Sequence, residues 1–204
     1  MFLFKKKITF PQFVANLIKY QFDFIEQNFD KFVDLDDEYK VLKLKNRKDL
    51  YSLVDCLILA DLNVGCIIHL TNKITSHDVG YVVGSTYVRF LSEYKKLDIK
   101  EVEDRSEKYL KFFDFFENFQ EIRKNEIEER KRLGGHPVEI KNDAERLQAD
   151  LCSAFAEYFM SKFPSDQKDV AREGRNFAAF KFAMAIVKAD LIGTTLKEFS
   201  IDWS

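Results

Sequence analysis

The sequence predicts an all-α protein, a single compact bundle of about six to eight helices with an aromatic, Phe-rich core. Phenylalanine occurs 21 times among the 204 residues, whereas glycine occurs 7 times and proline 3 times. Because glycine and proline mark most turns, their scarcity indicates long helices, and the phenylalanines can fill the space between them. No segment of useful length alternates apolar and polar residues as a half-buried strand does.

The totals restrict the class of protein. Hydrophobic residues make up 46% and charged residues 32%, which is typical of a soluble globular protein and not of a disordered one. The formal net charge of −2 gives no overall field that attracts nucleic acid, so we expect no nucleic-acid partner. We expect residues 9–204 to form one helical domain, preceded by an apolar and lysine-rich segment at residues 1–8.

The cysteines and the apolar runs predict a cytoplasmic location. Cys56, Cys66 and Cys152 lie in apolar stretches, which indicates buried, reduced thiols. The most apolar run, residues 57–70, is shorter than the roughly 20 residues that span a bilayer. The apolar residues before Lys5 are too few for a signal peptide.

The first helix is predicted to begin at Thr9, because Thr9 and Gln12 have the spacing of a capping box. Pro11 is compatible with the first turn, where its fixed φ suits a helix. The core candidates on this helix are Phe13, Leu17, Tyr20, Phe24 and Phe32. A shorter helix is predicted over residues 35–44.

Two helices are predicted to follow. Asn46 and Asp49 begin a helix that runs to about Thr71, and Ser76 caps a second helix that ends near Lys96. The apolar positions on these helices recur at helical spacing, so one face of each is expected to lie in the core. Those positions are Leu50, Val54, Leu57, Ile58, Val64, Ile68, Val79, Val83, Tyr87, Phe90 and Leu91.

The longest helix is predicted to begin at Asp98 and Glu101 and to end at the glycines 134–135, which suit a left-handed C-cap. Its first half carries Phe112, Phe116 and Phe119 as core residues. The stretch 121–132 contains five basic and four acidic residues, and its apolar stripe stops after Ile122. We expect this second half to be a solvated helix end, with an arm for a partner protein as the functional alternative.

Within that stretch, two pairs have the i,i+4 spacing and orientation that favour an ion pair. These pairs are Glu126–Arg130 and Glu128–Arg132. Each is expected to contribute only a few tenths of a kcal/mol.

The last third is predicted to contain three helices. Asn142 and Glu145 begin a helix that runs to Phe163, with a core stripe at Leu147, Leu151, Ala154 and Tyr158. Ser165 caps a helix over residues 166–190, and Thr194 begins a short terminal one. Residues 177–191 are almost wholly apolar, so we expect that segment to be central in the bundle.

Gly80 and Gly84 lie four residues apart on one helix. Each glycine inside a helix costs about 1 kcal/mol relative to alanine, so two on one face indicate a specific reason. We favour close packing of a neighbouring helix, with Gly65 as a residue that could face them. The alternative is space for a bound ligand.

Asp61 is the best candidate for an unusual carboxylate. Its helical neighbours are apolar, so a continuous helix would bury it, and a buried charge needs a partner or loses its charge. Lys181 and Lys188 could supply that partner. In the alternative, the helix breaks at Asp61, Leu62 and Asn63, where Asp or Asn would cap a new start.

Cys66, His69, His77 and Asp78 could in principle ligate zinc, or a Cys–His pair could act as nucleophile and base. The spacing is common by chance and no second cluster completes four ligands, so we expect no bound metal and no cofactor. Asp78 has a sufficient explanation as an acid in the first turn of a helix.

The dipeptide His77-Asp78 resembles the metal-binding pair of HD-type phosphohydrolases, which are all-helical enzymes. The resemblance implies a further histidine well upstream and an aspartate well downstream, on separate helices. The upstream histidine here is His69, which is too close in sequence for that geometry. The resemblance covers two residues, and the function is not carried over.

Two groups of charged residues could contact other molecules. Arg172 and Arg175 could bind an anion, although their position in polar first turns favours solvation. At the N-terminus, Phe2, Leu3 and Phe4 precede the lysines 5–7. This segment could hold the protein weakly on an anionic membrane. We favour the alternative in which Phe2 and Phe4 fold onto the bundle.

Three functions are compatible with these patterns. The first is a non-catalytic module that acts through a protein partner or self-association, with peripheral contact at the inner face of a bacterial membrane as an extension. The second is a helical module that encloses an apolar ligand. The third is a metal-dependent, hydrolase-like enzyme that uses Asp61, His69, His77 and Asp78.

Overall fold

The computed structural model describes residues 5–34, 47–70, 73–134, 143–162, 169–187 and 191–203. Within these ranges the chain forms seven α-helices, one π-helix and two short β-strands. In chain order the elements are β1 (Lys6–Thr9), α1 (Phe10–Asp34), α2 (Arg47–His69), α3 (Ser76–Arg89), the π-helix (Phe90–Tyr94), α4 (Ile99–Arg132), α5 (Asp143–Lys162), α6 (Asp169–Val187), α7 (Leu191–Glu198) and β2 (Phe199–Asp202). The all-α class is therefore confirmed.

The starts of α1 and α4 form as predicted. The Thr9 amide donates to Gln12 Oε1 at 3.0 Å, and the Gln12 amide donates to Thr9 Oγ1 at 3.4 Å, which is a capping box. The Asp98 carboxylate accepts from the Glu101 amide at 3.0 Å. Beyond the end of α4, Gly134 has a φ of +76°, the left-handed conformation that glycine adopts without strain.

Helix α3 differs from its prediction at its start. Its N-cap is Thr75 and not Ser76, because Thr75 has extended backbone and its side chain accepts from the Asp78 amide. Ser76 is already helical. At the other end, α3 continues directly into the π-helix, whose C-cap is Lys95, so the helical segment ends near Lys96 as predicted.

The two strands were not expected from the sequence. They pair in parallel, with Lys6 opposite Phe199 and Thr9 opposite Asp202. Each strand has only four residues and in β1 only Ile8 is buried, so the strands are too short for an alternating pattern to identify them. Residues 6–8, which we assigned to a segment outside the helical domain, belong to β1. The predicted start of the last helix at Thr194 is also wrong, because α7 begins at Leu191.

Several predictions fall outside the described residues. These are the helix over residues 35–44, the caps at Asn142 and Ser165, and the positions of Phe2, Phe4 and Lys188.

The buried residues of all these helices form one hydrophobic core. Helix α2 lies at its centre, since α2 packs against each of the other six described helices. The prediction that the segment 177–191 is central in the bundle is wrong. Helix α6 packs mainly against α5 and to a smaller extent against α2, and Phe177 on α6 is 56% exposed. No helix in the described part of the chain is long and apolar enough to cross a membrane.

The phenylalanine-rich core is confirmed, with two exceptions on α1. Phe13 and Leu17 are buried as predicted, whereas Tyr20 is 59% exposed and Phe24 39% exposed. Tyr20 and Phe24 point away from the stripe that faces the bundle. The prediction that they are core residues is therefore wrong.

Candidate functional site

The residues of the hydrolase-like hypothesis lie in different environments. Asp61 and Cys66 are buried within α2, whereas His69 and His77 are exposed. Asp61 and His69 are eight residues apart, which places them about 12 Å apart along the helix axis. Among the described residues, no group of three or more His, Cys, Asp or Glu side chains could hold a metal ion.

Asp61 is buried, as one of the two interpretations predicts. Its side chain is 9% exposed, and α2 runs without a break through residues 61–63. The alternative, a helix break with Asp61 or Asn63 as a cap, is therefore wrong. The Asn63 side-chain amide instead donates to the Leu59 carbonyl and to the Tyr109 hydroxyl, both at 2.8 Å, which links α2 to α4.

Asp78 belongs to the start of α3. The Thr75 hydroxyl donates to Asp78 Oδ2 at 2.6 Å, while the Asp78 amide donates to the Thr75 hydroxyl at 3.1 Å. His77 Nδ1 lies 3.8 Å from Asp78 Oδ1, and His77 is almost fully exposed. The helix cap accounts for the position of this carboxylate, as the sequence suggested.

The three glycines on α2 and α3 differ in how closely they are approached. A β-carbon on Gly65 would collide with the Ile192 side chain of α7, so Gly65 permits close packing of α2 and α7. A β-carbon on Gly80 would lie 3.8 Å from Asn63 Oδ1, and one on Gly84 would lie 4.0 Å from the Tyr109 ring. These are ordinary contacts. The expectation that Gly65 faces Gly80 and Gly84 is wrong.

The two thiols on α2 are poor nucleophiles. Burial, with a smaller contribution from the nearby Asp61, raises the pKa of Cys66 to about 12. Burial also raises the pKa of Cys56, with a second contribution from Asp55. Because the thiolate is the reactive form, neither residue can act as a nucleophile near neutral pH.

A charged cleft, formed by Glu26, Asp55, Lys95 and Arg105, is a feature that the sequence analysis missed. Asp55 on α2 is 4% exposed. Tyr87 on α3 donates its hydroxyl to Asp55 Oδ2 at 2.8 Å, and Arg105 Nε on α4 lies 3.5 Å from the same oxygen. Three helices therefore meet around one buried carboxylate.

The second half of the charged cleft pairs α1 with the end of the π-helix. Lys95 Nζ donates to both carboxylate oxygens of Glu26, at 2.8 and 2.7 Å. Lys95 also lies over the rings of Phe90 and Tyr94, at 5.5 and 5.7 Å from their centroids. The π-helix, a conformation that often occurs at functional sites, therefore places Lys95 in the cleft.

Asp55 can hold a proton close to neutral pH. Burial raises its pKa from 3.8 to about 6, although Arg105 and the Tyr87 hydrogen bond act in the opposite direction. The cleft has two carboxylates and two cations, and its volume is about 90 Å³. Since a water molecule occupies roughly 30 Å³, this space is too small for an organic substrate. The geometry is that of an internal ion network.

The sequence contains a signal for this cleft. Asp55 lies among the apolar positions of α2 in the same way as Asp61, at helical spacing from Leu59 and Leu62. The periodicity that predicts a buried Asp61 therefore predicts a buried Asp55 equally well. Its partners are on three other helices, and no spacing in the sequence indicates which of the many charged residues they are.

An aromatic groove, formed by Tyr20, Phe24 and Phe199, runs along the outer side of α1. Its volume is about 560 Å³. Its lining residues on α1 recur at intervals of three and four, so they form one stripe of the helix. The full lining is Asn16, Lys19, Tyr20, Asp23, Phe24, Gln27, Thr195, Glu198 and Phe199. Helix α7 and strand β2 supply the second wall.

Tyr94 of the π-helix extends this aromatic surface. It is 47% exposed, and its hydroxyl donates to Asp23 Oδ2 at 3.4 Å. Lys19 Nζ lies 4.8 Å from the centre of the Tyr94 ring. Three exposed aromatic side chains (Tyr20, Phe24, Tyr94) are thus held close to Lys19 and Asp23.

The second half of α4 is exposed, as predicted. Phe112, Phe116 and Phe119 are buried, whereas nearly all side chains from residue 121 to residue 134 are exposed. The predicted pairs Glu126–Arg130 and Glu128–Arg132 do not form. The ion pairs in this part of the described chain are Arg123–Glu126 and Glu129–Arg132, with N–O distances of 3.2 and 4.0 Å.

One of the lysines near the N-terminus is fixed to the bundle by its side chain. Lys5 Nζ donates to the Leu196 carbonyl at 2.6 Å, so this amine is used at the end of α7. Lys6 and Lys7 are exposed on β1. Of the other predicted basic residues, Lys181 is exposed and lies over the Phe177 ring. The side chains of Arg172 and Arg175 lie outside the described part.

Comparison with known proteins adds no relative. No family model, no curated protein and no solved structure matches this chain.

Proposed function

We propose that this protein is a non-catalytic interaction module that binds a protein partner, or a second copy of itself, through the aromatic groove. The observation that carries the proposal is the exposure of Tyr20, Phe24 and Tyr94 on one side of the bundle. Tyrosine and phenylalanine are enriched in protein interfaces, because each buries a large area and loses little conformational entropy.

The groove also has the polar rim of a protein interface. Lys19, Asp23 and Glu198 lie beside the aromatic side chains. Such a rim orients a partner by its charges, while the rings supply the contact area. The α1 stripe from Asn16 to Gln27 covers three helical turns, about 17 Å, which suits a short helical or extended segment of a partner.

The two alternatives receive less support from the geometry. The charged cleft is too small for an organic substrate, and each of its carboxylates is paired with a cation. Two cavities in the described part of the chain, about 650 and 560 Å³, are open surface grooves and not closed chambers in the core. We place the module in the cytoplasm, because its three free cysteines suit a reducing compartment.

Site-specific photo-crosslinking tests the proposal. A benzoylphenylalanine at position 20 is expected to capture one dominant protein in cells that produce this chain natively. Tyr81, which is 72% exposed on α3, provides the matched control position. A second chain that combines the probe at position 20 with Phe24→Ser is expected to lose about fivefold in yield, because the partner loses an aromatic anchor.

Mass spectrometry of the crosslinked product identifies either a second copy of the chain or a different protein. Either identity supports the proposal if the Phe24→Ser change lowers the yield and position 81 gives no such product. Equal products at positions 20 and 81, or a yield that Phe24→Ser leaves unchanged, would show that the groove is not the interaction surface.

A further inference from the structure

A second groove, the tryptophan groove, lies where β2 ends beside the start of α1. It is formed by Phe10, Trp203, Asp78 and Asp202, and its volume is about 650 Å³. The strand register explains how it forms. Thr9 and Asp202 are paired in the sheet, so the residues that follow them, Phe10 and Trp203, emerge side by side.

Trp203 is held as a flat platform in this groove. Its ring stacks on Phe10 with centroids 5.6 Å apart and planes inclined by 23°. Phe10 is 5% exposed, whereas Trp203 is 43% exposed. One side of the indole is thus supported by a buried ring, and part of it stays open to solvent. An indole face is the strongest neutral partner for a cation among protein side chains.

The charges of the groove favour a cation. Asp78 and Asp202 contribute two carboxylates, and Lys73 is the one basic residue among the described lining residues. The Asp78 carboxylate is oriented by the hydrogen bond from the Thr75 hydroxyl. Carboxylates therefore outnumber ammonium groups in the described lining beside the open indole, which is complementary to a positively charged side chain.

An anion is not accommodated in the same way, although two helices begin here. The free amides at a helix start can bind an anion, but some of these amides already have partners. The Thr9 amide donates to Gln12, and the Asp78 amide donates to Thr75. The capping side chains thus use some of the donors that a phosphate or sulfate would need.

We infer that the tryptophan groove binds an arginine side chain of a partner protein, stacked on Trp203 and paired with Asp78 and Asp202. A planar guanidinium can stack on an indole and donate to carboxylates at its edge, which an ammonium group cannot do together. This inference is independent of the aromatic groove, since the two grooves have no described lining residue in common.

The fluorescence of Trp203 tests the inference directly, because the chain contains 1 tryptophan. The full-length protein is titrated with a blocked glycine–arginine–glycine peptide. The same peptide with citrulline, the neutral isostere of arginine, is the ligand control, and guanidinium ion alone tests whether the peptide matters. We expect a saturable change in emission, with at least about tenfold weaker binding of the citrulline peptide and of free guanidinium.

Three variants of groove residues and one control variant assign the contacts. Asp78→Asn and Asp202→Asn are each expected to weaken the arginine peptide about threefold to tenfold. Glu103→Gln removes an exposed charge on α4 outside the groove and is expected to change nothing. Trp203→Leu is expected to lose binding of the arginine peptide while the strand pairing stays intact. For this variant, binding and strand pairing are both measured by the NMR chemical shifts of the β2 amides. Circular dichroism checks that each variant is folded.

The inference fails if the citrulline peptide binds as tightly as the arginine peptide. It also fails if Glu103→Gln weakens binding as much as Asp202→Asn, or if emission shows no saturable change up to about 20 mM peptide. If free guanidinium binds as tightly as the peptide, the groove is a site for small cations. That result would overturn the inference that it binds a protein partner.

Discussion

The two faces of α1 carry the same kinds of residue and have opposite fates. On the inner face, Phe13, Leu17 and Phe22 lie in the core and are at most 5% exposed. On the outer face, Tyr20 and Phe24 line the aromatic groove. The two sets of residues lie on different sides of the helix, because each residue is rotated by roughly 100° around the helix axis relative to the one before it. An aromatic residue on a long helix is therefore a core residue only if its helical position agrees with the rest of the stripe.

The comparison also shows how a helix can serve two purposes. The inner face fixes α1 against α2 and α3, and it needs side chains whose shapes fit their neighbours. The outer face needs only exposure and a second wall, which α7 and β2 supply. Substitutions on the two faces should therefore have different consequences, and three experiments test this from the largest expected effect to the smallest.

The largest effect is expected for Phe13→Ala. Phe13 is fully buried, so its removal leaves a cavity and should lower the free energy of unfolding by about 3–5 kcal/mol. Tyr20→Ala, the outer-face control, should lower it by less than about 0.5 kcal/mol. Urea denaturation monitored by circular dichroism measures both. Similar losses for the two variants would mean that the faces are not distinct.

The second experiment concerns the place where the inner face ends, at Phe22 and Glu26 beside the charged cleft. The pKa of Asp55 is raised to about 6 in the folded protein. Between pH 4 and pH 6 the folded state therefore binds one more proton than the unfolded state, and stability falls as the pH rises. Relative to Asp55→Asn, the wild type should lose about 2 kcal/mol over this window and a few tenths of a kcal/mol above it.

Urea denaturation at intervals from pH 4 to pH 7 gives the required difference curve. Asp114→Asn, an exposed aspartate on α4, provides the control and should follow the wild type at each pH. A constant difference between the wild type and Asp55→Asn would show that Asp55 titrates normally, and that burial does not control its charge.

The smallest effect is expected at α7, which helps to form the second wall of the aromatic groove. An alanine at Gly65 would press on Ile192 of α7 and should cost about 1–3 kcal/mol. Gly80→Ala meets only an ordinary contact at 3.8 Å and should instead stabilise α3 by up to about 1 kcal/mol. Thermal melting distinguishes the two signs. Hydrogen exchange in α7 should increase in Gly65→Ala alone.

Much of the fold follows from local signals in the sequence. The capping pairs Thr9–Gln12 and Asp98–Glu101 lie within one turn of chain, so their chemistry is visible without any tertiary information. The burial of Asp61 and the exposure of the second half of α4 follow from helical periodicity. These features depend on residues that are close in sequence.

The features that could not be predicted depend on residues that are far apart in sequence. The pairing of β1 with β2 joins strands of four residues, too short to show a period of two. The Asp55 cleft needs partners from three other helices, and Gly65 is explained only by its contact with Ile192. Tyr20 and Phe24 were assigned to the core because the position of the bundle around α1 was unknown.

The short parallel sheet has a consequence for the order of folding. Closing the loop between β1 and β2 costs chain entropy before it gains any hydrogen bond, so this pairing should form after the helices between the strands have packed. Phe199 in β2 lines the aromatic groove, and Trp203 directly after β2 lines the tryptophan groove. Both surfaces are therefore completed by the last step of folding. A partner that binds either of them would distinguish the finished protein from its folding intermediates.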